Sequence, residues 1–192
     1  MSLVETLRRR WTRAPELVRA VLQASPDPDE HLLAWGVLLR DEGWLVATSR
    51  GLRRVPADLT LDRAGEVGVL RWHEIGSAKW SKIAEGGTFE VTPLVEVEPG
   101  VQARLPVEKH VLVDARDLPP VVRRRVDQTV VASRRSPLPG GGGVLLVARR
   151  IPGQAAREWT VVFDDDADRT DEVSREAARQ KLADAVAADS PE

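Results

Sequence analysis

The residues able to do chemistry are few and far apart in this chain. His31, His73 and His110 are the only imidazoles. Their spacing holds neither H-x-x-x-H nor H-E-x-x-H, the helical patterns that bring two nitrogens to one metal. His73-Glu74, at the end of an expected strand, is the one pair worth inspecting, although a histidine so placed ordinarily serves as a hydrogen-bonded structural residue. There is no cysteine, which removes disulfide scaffolds, thiolate zinc sites and a cysteine nucleophile together. The serine nucleophile elbow G-x-S-x-G is also missing, because Gly76-Ser77 continues into Ala78-Lys79. Asp164, Asp165, Asp166 and Asp168 have the look of a calcium loop, but the positions that need glycine and glutamate hold Arg169 and Arg175. Gly140 to Gly143 lead into an expected strand and lack G-K-[ST], so no helix N-terminus is there to hold a phosphate. No catalytic residue, cofactor or metal is expected, and the chain reads as a non-enzyme; a deep pocket joining His73 or His110 to buried carboxylates would revive the alternative of an enzyme.

Charge is the next chemical signal. The net charge is −2, too small for a field that would steer the whole protein to nucleic acid or an anionic membrane. Locally the balance is uneven: from Arg116 to Arg150 eight arginines face only Asp117 and Asp127, and beyond Phe163 the sign reverses. Arg123, Arg124, Arg134, Arg135, Arg149 and Arg150 are the candidate binding surface. Lysine appears only at Lys79, Lys82, Lys109 and Lys181, while tyrosine and asparagine are missing, a usage expected of a GC-rich genome. Arginine therefore stands where lysine otherwise would, which weakens the case for phosphate recognition.

These residues must be held by the elements around them. Leu3, Val4, Leu7 and Trp11 predict a short helix, and Pro15 starts a second with Leu17, Val18, Val21 and Leu22 on one face. Residues 1–24 are expected to form a helical arm. His31–Leu39, Trp44–Thr48 and Leu52–Val55 predict a meander of strands with turns at Arg40–Gly43 and Ser49–Gly51. Leu59–Gly68 reads as loop, Val69–Ile75, Ala78–Ile83, Thr88–Val97 and Val107–Val113 as strands. Asp117–Ala132 predicts a helix with Pro119 and Pro120 in its first turn and Val122, Val126 and Val130 buried. SRRSPLPGGGG, residues 133–143, reads as a linker. Residues 144–188 then give a hairpin, Val144–Arg150 with Glu158–Phe163, and a last helix capped by Thr170 with Val173, Ala177, Leu182 and Val186 as its packing stripe. The first residues meet arginines before any apolar run fit for a signal peptide, and no run of about 18 apolar residues occurs, so a cytoplasmic protein without a transmembrane segment is expected.

WLVATSRGLRRV followed by LRWHEIGSAKW resembles bacterial PH-like and GRAM-like domains of an actinobacterial type, over residues 30–132. The resemblance implies an α+β fold, mainly antiparallel: a PH-like roll of about seven strands with a closing helix, flanked here by the N-terminal helices and the C-terminal hairpin plus helix. It implies a binding or adaptor module gripping a protein or peptide partner, through an apolar groove or an exposed strand edge. The near-balanced turn Arg40–Gly43 argues against phosphoinositide binding. A nucleic-acid-associated protein using the arginines between Arg116 and Arg150 is the alternative. Trp35, Trp44, Trp72 and Trp80 are expected in the core, and Trp11 and Trp159 are candidates for docking the terminal additions.

Overall fold

The structure is a computed structural model that describes residues 14–84, 86–151 and 157–189. The helix expected over Ser2–Trp11, and Trp11 with it, lies outside the described residues. The fold is α+β and mostly antiparallel. It divides into two compact units, one drawn from residues up to Trp72, Ala78–Val91 and Glu108–Arg125, the other from His73–Ser77, Thr92–Val107 and the chain from Val126 onward.

In the first unit the strand order is β4 (Leu70–Arg71), β3 (Gly51–Val55), β2 (Trp44–Thr48), β1 (Leu32–Leu38), β8 (Glu108–Asp114) and the first half of β6 (Gly86–Glu98). β1 is flanked on both edges, by β2 and β8, and all its residues are buried or half-buried, which fits a sequence apolar on both faces. Trp35 lies opposite Val46, and both join Val18, Val21, Val55 and Ala64 in one buried cluster. Val18 and Val21 come from α1 (Glu16–Gln23), whose start is set by Pro15 at φ −52°, in the range the proline ring imposes. Trp72 is buried and donates from Nε1 to the carbonyl of Thr48 at 3.1 Å. Trp44 and Trp80 are half-buried, Trp44 against the cluster and Trp80 tilted on Phe89 with centroids 6.0 Å apart.

The sequence expectation differs around Val69–Ile75. That stretch is not one strand: β4 is two residues long, a 3-10 turn occupies Trp72–Glu74, and β5 runs Ile75–Ile83. Burying the Trp72 ring and bonding its N–H bends the chain where valine and leucine alone would extend it.

In the second unit the order is the second half of β6, then β7 (Val101–Arg104), β11 (Arg157–Phe163), β10 (Gly143–Arg150) and β9 (Val130–Pro137). β7 and β11 are parallel; the other ladders there are antiparallel. One face is covered by α3 (Glu172–Asp189), so that Val144, Leu146, Val161 and Phe163 pack with Ala178, Ala185, Leu182 and Trp159. Trp159 also donates from Nε1 to Asp189 at 2.9 Å, tying the last turn of α3 to β11.

Four expectations are corrected in and around this unit. Residues 133–143 are not a linker, because Val130–Pro137 pair with β10. A ladder is made by the backbone, so polar side chains do not prevent it, and Pro137 sits at the strand end where its missing N–H costs nothing. The glycines serve the β9–β10 turn, with Gly141 and Gly142 at φ 95° and 66°. α2 (Leu118–Thr129) buries Leu118, Val122 and Val126 but ends before Val130, which is exposed on β9. β7, too short and polar to announce itself, was not expected. The cap of α3 is Asp171, whose Oδ2 accepts the N–H of Ser174 at 2.8 Å, and Val173 and Val186 are exposed, the small Ser174, Ala178 and Ala185 taking the packed side.

Candidate functional site

Strand alternation in the second unit sends Val144, Leu146 and Ala148 toward the α3 face and Leu145, Val147 and Arg149 to the other. The register carries this to the neighbours: Arg149 lies opposite Glu158, Val147 opposite Thr160, Val162 beside Gln102, and Gln102 opposite Glu96. The face away from α3 therefore collects Arg149, Thr160, Glu158, Gln102 and Glu96. With Leu94, Val95 and Ile151, and with His73 and Glu74 from the turn before β5, they line a cavity of about 230 Å³.

Its floor is buried and its mouth is not. Arg149 and Thr160 are 6% and 5% exposed, whereas Glu96 and Glu158 are open to solvent. Arg149 donates from Nη1 to Thr129 Oγ1 at 3.0 Å, and Thr129 in turn donates to the carbonyl of Val126 at 2.7 Å, which fixes the guanidinium plane. That is the only hydrogen bond of the guanidinium among the described residues, and no carboxylate there forms an ion pair with it, Glu158 across the ladder included. Burial pulls the Arg149 pKa down from its usual value. Arg149 Nε, Thr160 Oγ1 and Gln102 Oε1 are all buried without a hydrogen-bond partner among the described residues. Each such atom costs about 1–3 kcal/mol. Arg149, Thr160 and Gln102 all line the cavity, so its wall collects two buried donors and an acceptor, and a cation that no carboxylate neutralises among the described residues. Among the described residues no cysteine, serine or lysine lines it.

The other arginines singled out from sequence do not gather here. Arg123 and Arg124 are exposed on α2, in the stretch that belongs to the first unit. Arg134 and Arg135 are exposed on β9 with opposite parity, Arg135 bonded to Asp164 at 3.2 Å, and Arg150 points away from Arg149. Arg116 is spent on the first unit's core, stacked 3.7 Å from the Trp35 ring centroid and bonded to Asp114 at 3.0 Å. The acidic run is likewise engaged: Asp165 accepts from Arg104 at 3.0 Å, and Asp168 accepts the N–H of Thr170 at 2.8 Å. Sequence reasoning missed Thr160, Gln102, Glu96 and Glu158. The signal that could have found the site is Arg149 itself, a charge at an inward position of the apolar strand VLLVARR.

The first unit holds a buried ion pair that the sequence did not announce. Glu30, its side chain 1% exposed, takes Arg53 Nη2 at 2.7 Å and Nε at 3.0 Å, a two-pronged pair. Thr48 Oγ1 donates to Glu30 at 2.7 Å and accepts the N–H groups of Arg50 and Gly51, and Ser25 also donates to the carboxylate. Burial alone would raise the Glu30 pKa, but the bonds from Arg53, Ser25 and Thr48 outweigh it and hold the group at about 2. Among the described residues no helix is long and apolar enough to cross a membrane. No protein-family model, characterised protein or solved structure matches the chain.

Proposed function

We propose that this chain is a cytoplasmic, non-catalytic binding module, and that it grips a segment of a protein or peptide partner in the cavity of its second unit. The antiparallel order of β1 to β4, with a helix following β8, supports a PH-like scaffold. The observation that carries the binding reading is the buried Arg149 guanidinium, held by Thr129 and otherwise unused, beside the unpartnered Thr160 and Gln102 atoms. Polar groups buried without a partner cost stability, which a ligand bonded to them would offset. The arginine surface behind the nucleic-acid alternative is depleted, since Arg116 and Arg135 are engaged and Arg149 is buried.

Selection of a displayed random-hexapeptide library on the immobilised full chain tests the reading. Enriched peptides should bind the wild type and lose affinity when Thr160→Val and Gln102→Leu are combined, a pair that removes both polar atoms with little change of shape. Absence of enrichment, or peptides that bind the double variant equally well, would refute it.

A further inference from the structure

The cavity is polarised along its depth. At the floor the Thr129 bond occupies Nη1 of Arg149 and leaves the Nε–Nη2 edge, the edge that meets a planar two-oxygen anion with two parallel bonds. Thr160 Oγ1, on the next inward position of the partner strand, adds a third donor. At the mouth the sign reverses. Glu96 and Glu158 are exposed there, and Glu74 and His73 also line the wall. Glu96 keeps one oxygen on the N–H of Gly100 at 2.7 Å, and its charge remains at the rim.

A phosphate dianion suits the floor and is repelled by the rim. A purely cationic group suits the rim and leaves the floor unpaired. What satisfies both is one carboxylate with positive charge a few bonds behind it. The cavity, about 230 Å³, lies below the roughly 300–1,000 Å³ that drug-sized ligands occupy. It holds the end of a chain and does not hold a chain passing through. Resting on the binding reading above, we infer that the cavity takes the free C-terminal carboxylate of a partner whose last residues are basic, the carboxylate on the Arg149 Nε–Nη2 edge and Thr160, the basic side chains toward Glu96 and Glu158. Gln102 Oε1 then accepts from the partner's last amide N–H.

The test uses fluorescence anisotropy on the full chain with three labelled hexapeptides: glycine–serine repeats ending in two lysines with a free carboxylate, the same peptide amidated, and a glycine–serine hexapeptide with a free carboxylate. The free lysine-ended peptide should bind about tenfold or more tightly than its amide, as loss of a charge-assisted pair requires, and more tightly than the neutral-ended peptide. Arg149→Met should bring the free acid down to the affinity of the amide with no loss of melting temperature, because an apolar side chain of similar size replaces an unpaired buried charge. Should that variant fold poorly, Thr160→Val must still narrow the free-acid preference. Equal affinity of free acid and amide would overturn the inference while leaving library-selected peptides to support the binding reading. If neither these peptides nor any library peptide bound, both would fall. Free L-lysine displacing the peptide at equal concentration would assign the site to a free basic amino acid, overturning the peptide part.

Discussion

Replacing Glu30 by glutamine tests the energetics of the first unit most directly. The carboxylate is held at about 2 against an ordinary value of 4.5. At roughly 1.4 kcal/mol per tenfold change in proton affinity, that gap corresponds to about 3 kcal/mol. The group's folded-state pKa is depressed, so its stabilisation is fully present above pH 4.5 and is lost as pH falls from there through about 2. Glutamine keeps the shape and removes the charge, which leaves the 6%-exposed Arg53 uncompensated. Removing one member of a buried pair costs about 3–5 kcal/mol, while removing both often restores stability. Urea denaturation of the full chain followed by tryptophan fluorescence reads this well, since Trp72 is bonded to the same Thr48 that serves Glu30. Glu30→Gln should lose about 3 kcal/mol at pH 7, show a flatter pH dependence between 4.5 and 2 than the wild type, and recover when Arg53→Met is added. A loss under about 0.5 kcal/mol, the range of ordinary surface substitutions, or an unchanged acid slope, would refute the reasoning.

Other substitutions probe separate parts of the fold. Trp72→Phe keeps an aromatic side chain but loses the pyrrole part of the buried indole and its N–H to the Thr48 carbonyl, so it should cost at least about 1–3 kcal/mol in the same denaturation experiment. Gly43 has φ 104°, and a Cβ there would sit 2.1 Å from the carbonyl oxygen of Val55; Gly43→Ala should lower the melting temperature by calorimetry, whereas Gly68→Ala, in open space, should leave it unchanged. Burial lowers the pKa of His110 from its usual 6.5, with Glu108 opposing. The folded state then binds fewer protons than the unfolded chain, so stability is full above pH 6.5 and falls as pH drops below it; His110→Gln should flatten that part of the urea-midpoint profile, and an identical profile would count against the burial.

How much of this was legible beforehand varies by element. Strands β1 and β2 were readable because alternation and turn residues are local, and β2 ends where the sequence places it. The α2 start was readable from two adjacent prolines for the same reason. The strand β9 was not: its pairing depends on β10 offering an open edge, and nothing within SRRSPLPGGGG records that partner. Val173 and Val186 look like core along the chain, yet α3 turns Ser174, Ala178 and Ala185 inward because small side chains fit close to β10 and β11.

The sequence by itself determined the class of the protein, an α+β chain rich in antiparallel strands, and the poverty of its catalytic groups. It also placed a charge, Arg149, inside an apolar strand. Only the tertiary structure decided that Arg149 meets Thr129, Thr160, Gln102 and Glu158 on one surface while its neighbour Arg150 faces away. The reason is that propensity and alternation act over a few residues, whereas a binding cavity is made by register between strands that are distant in sequence.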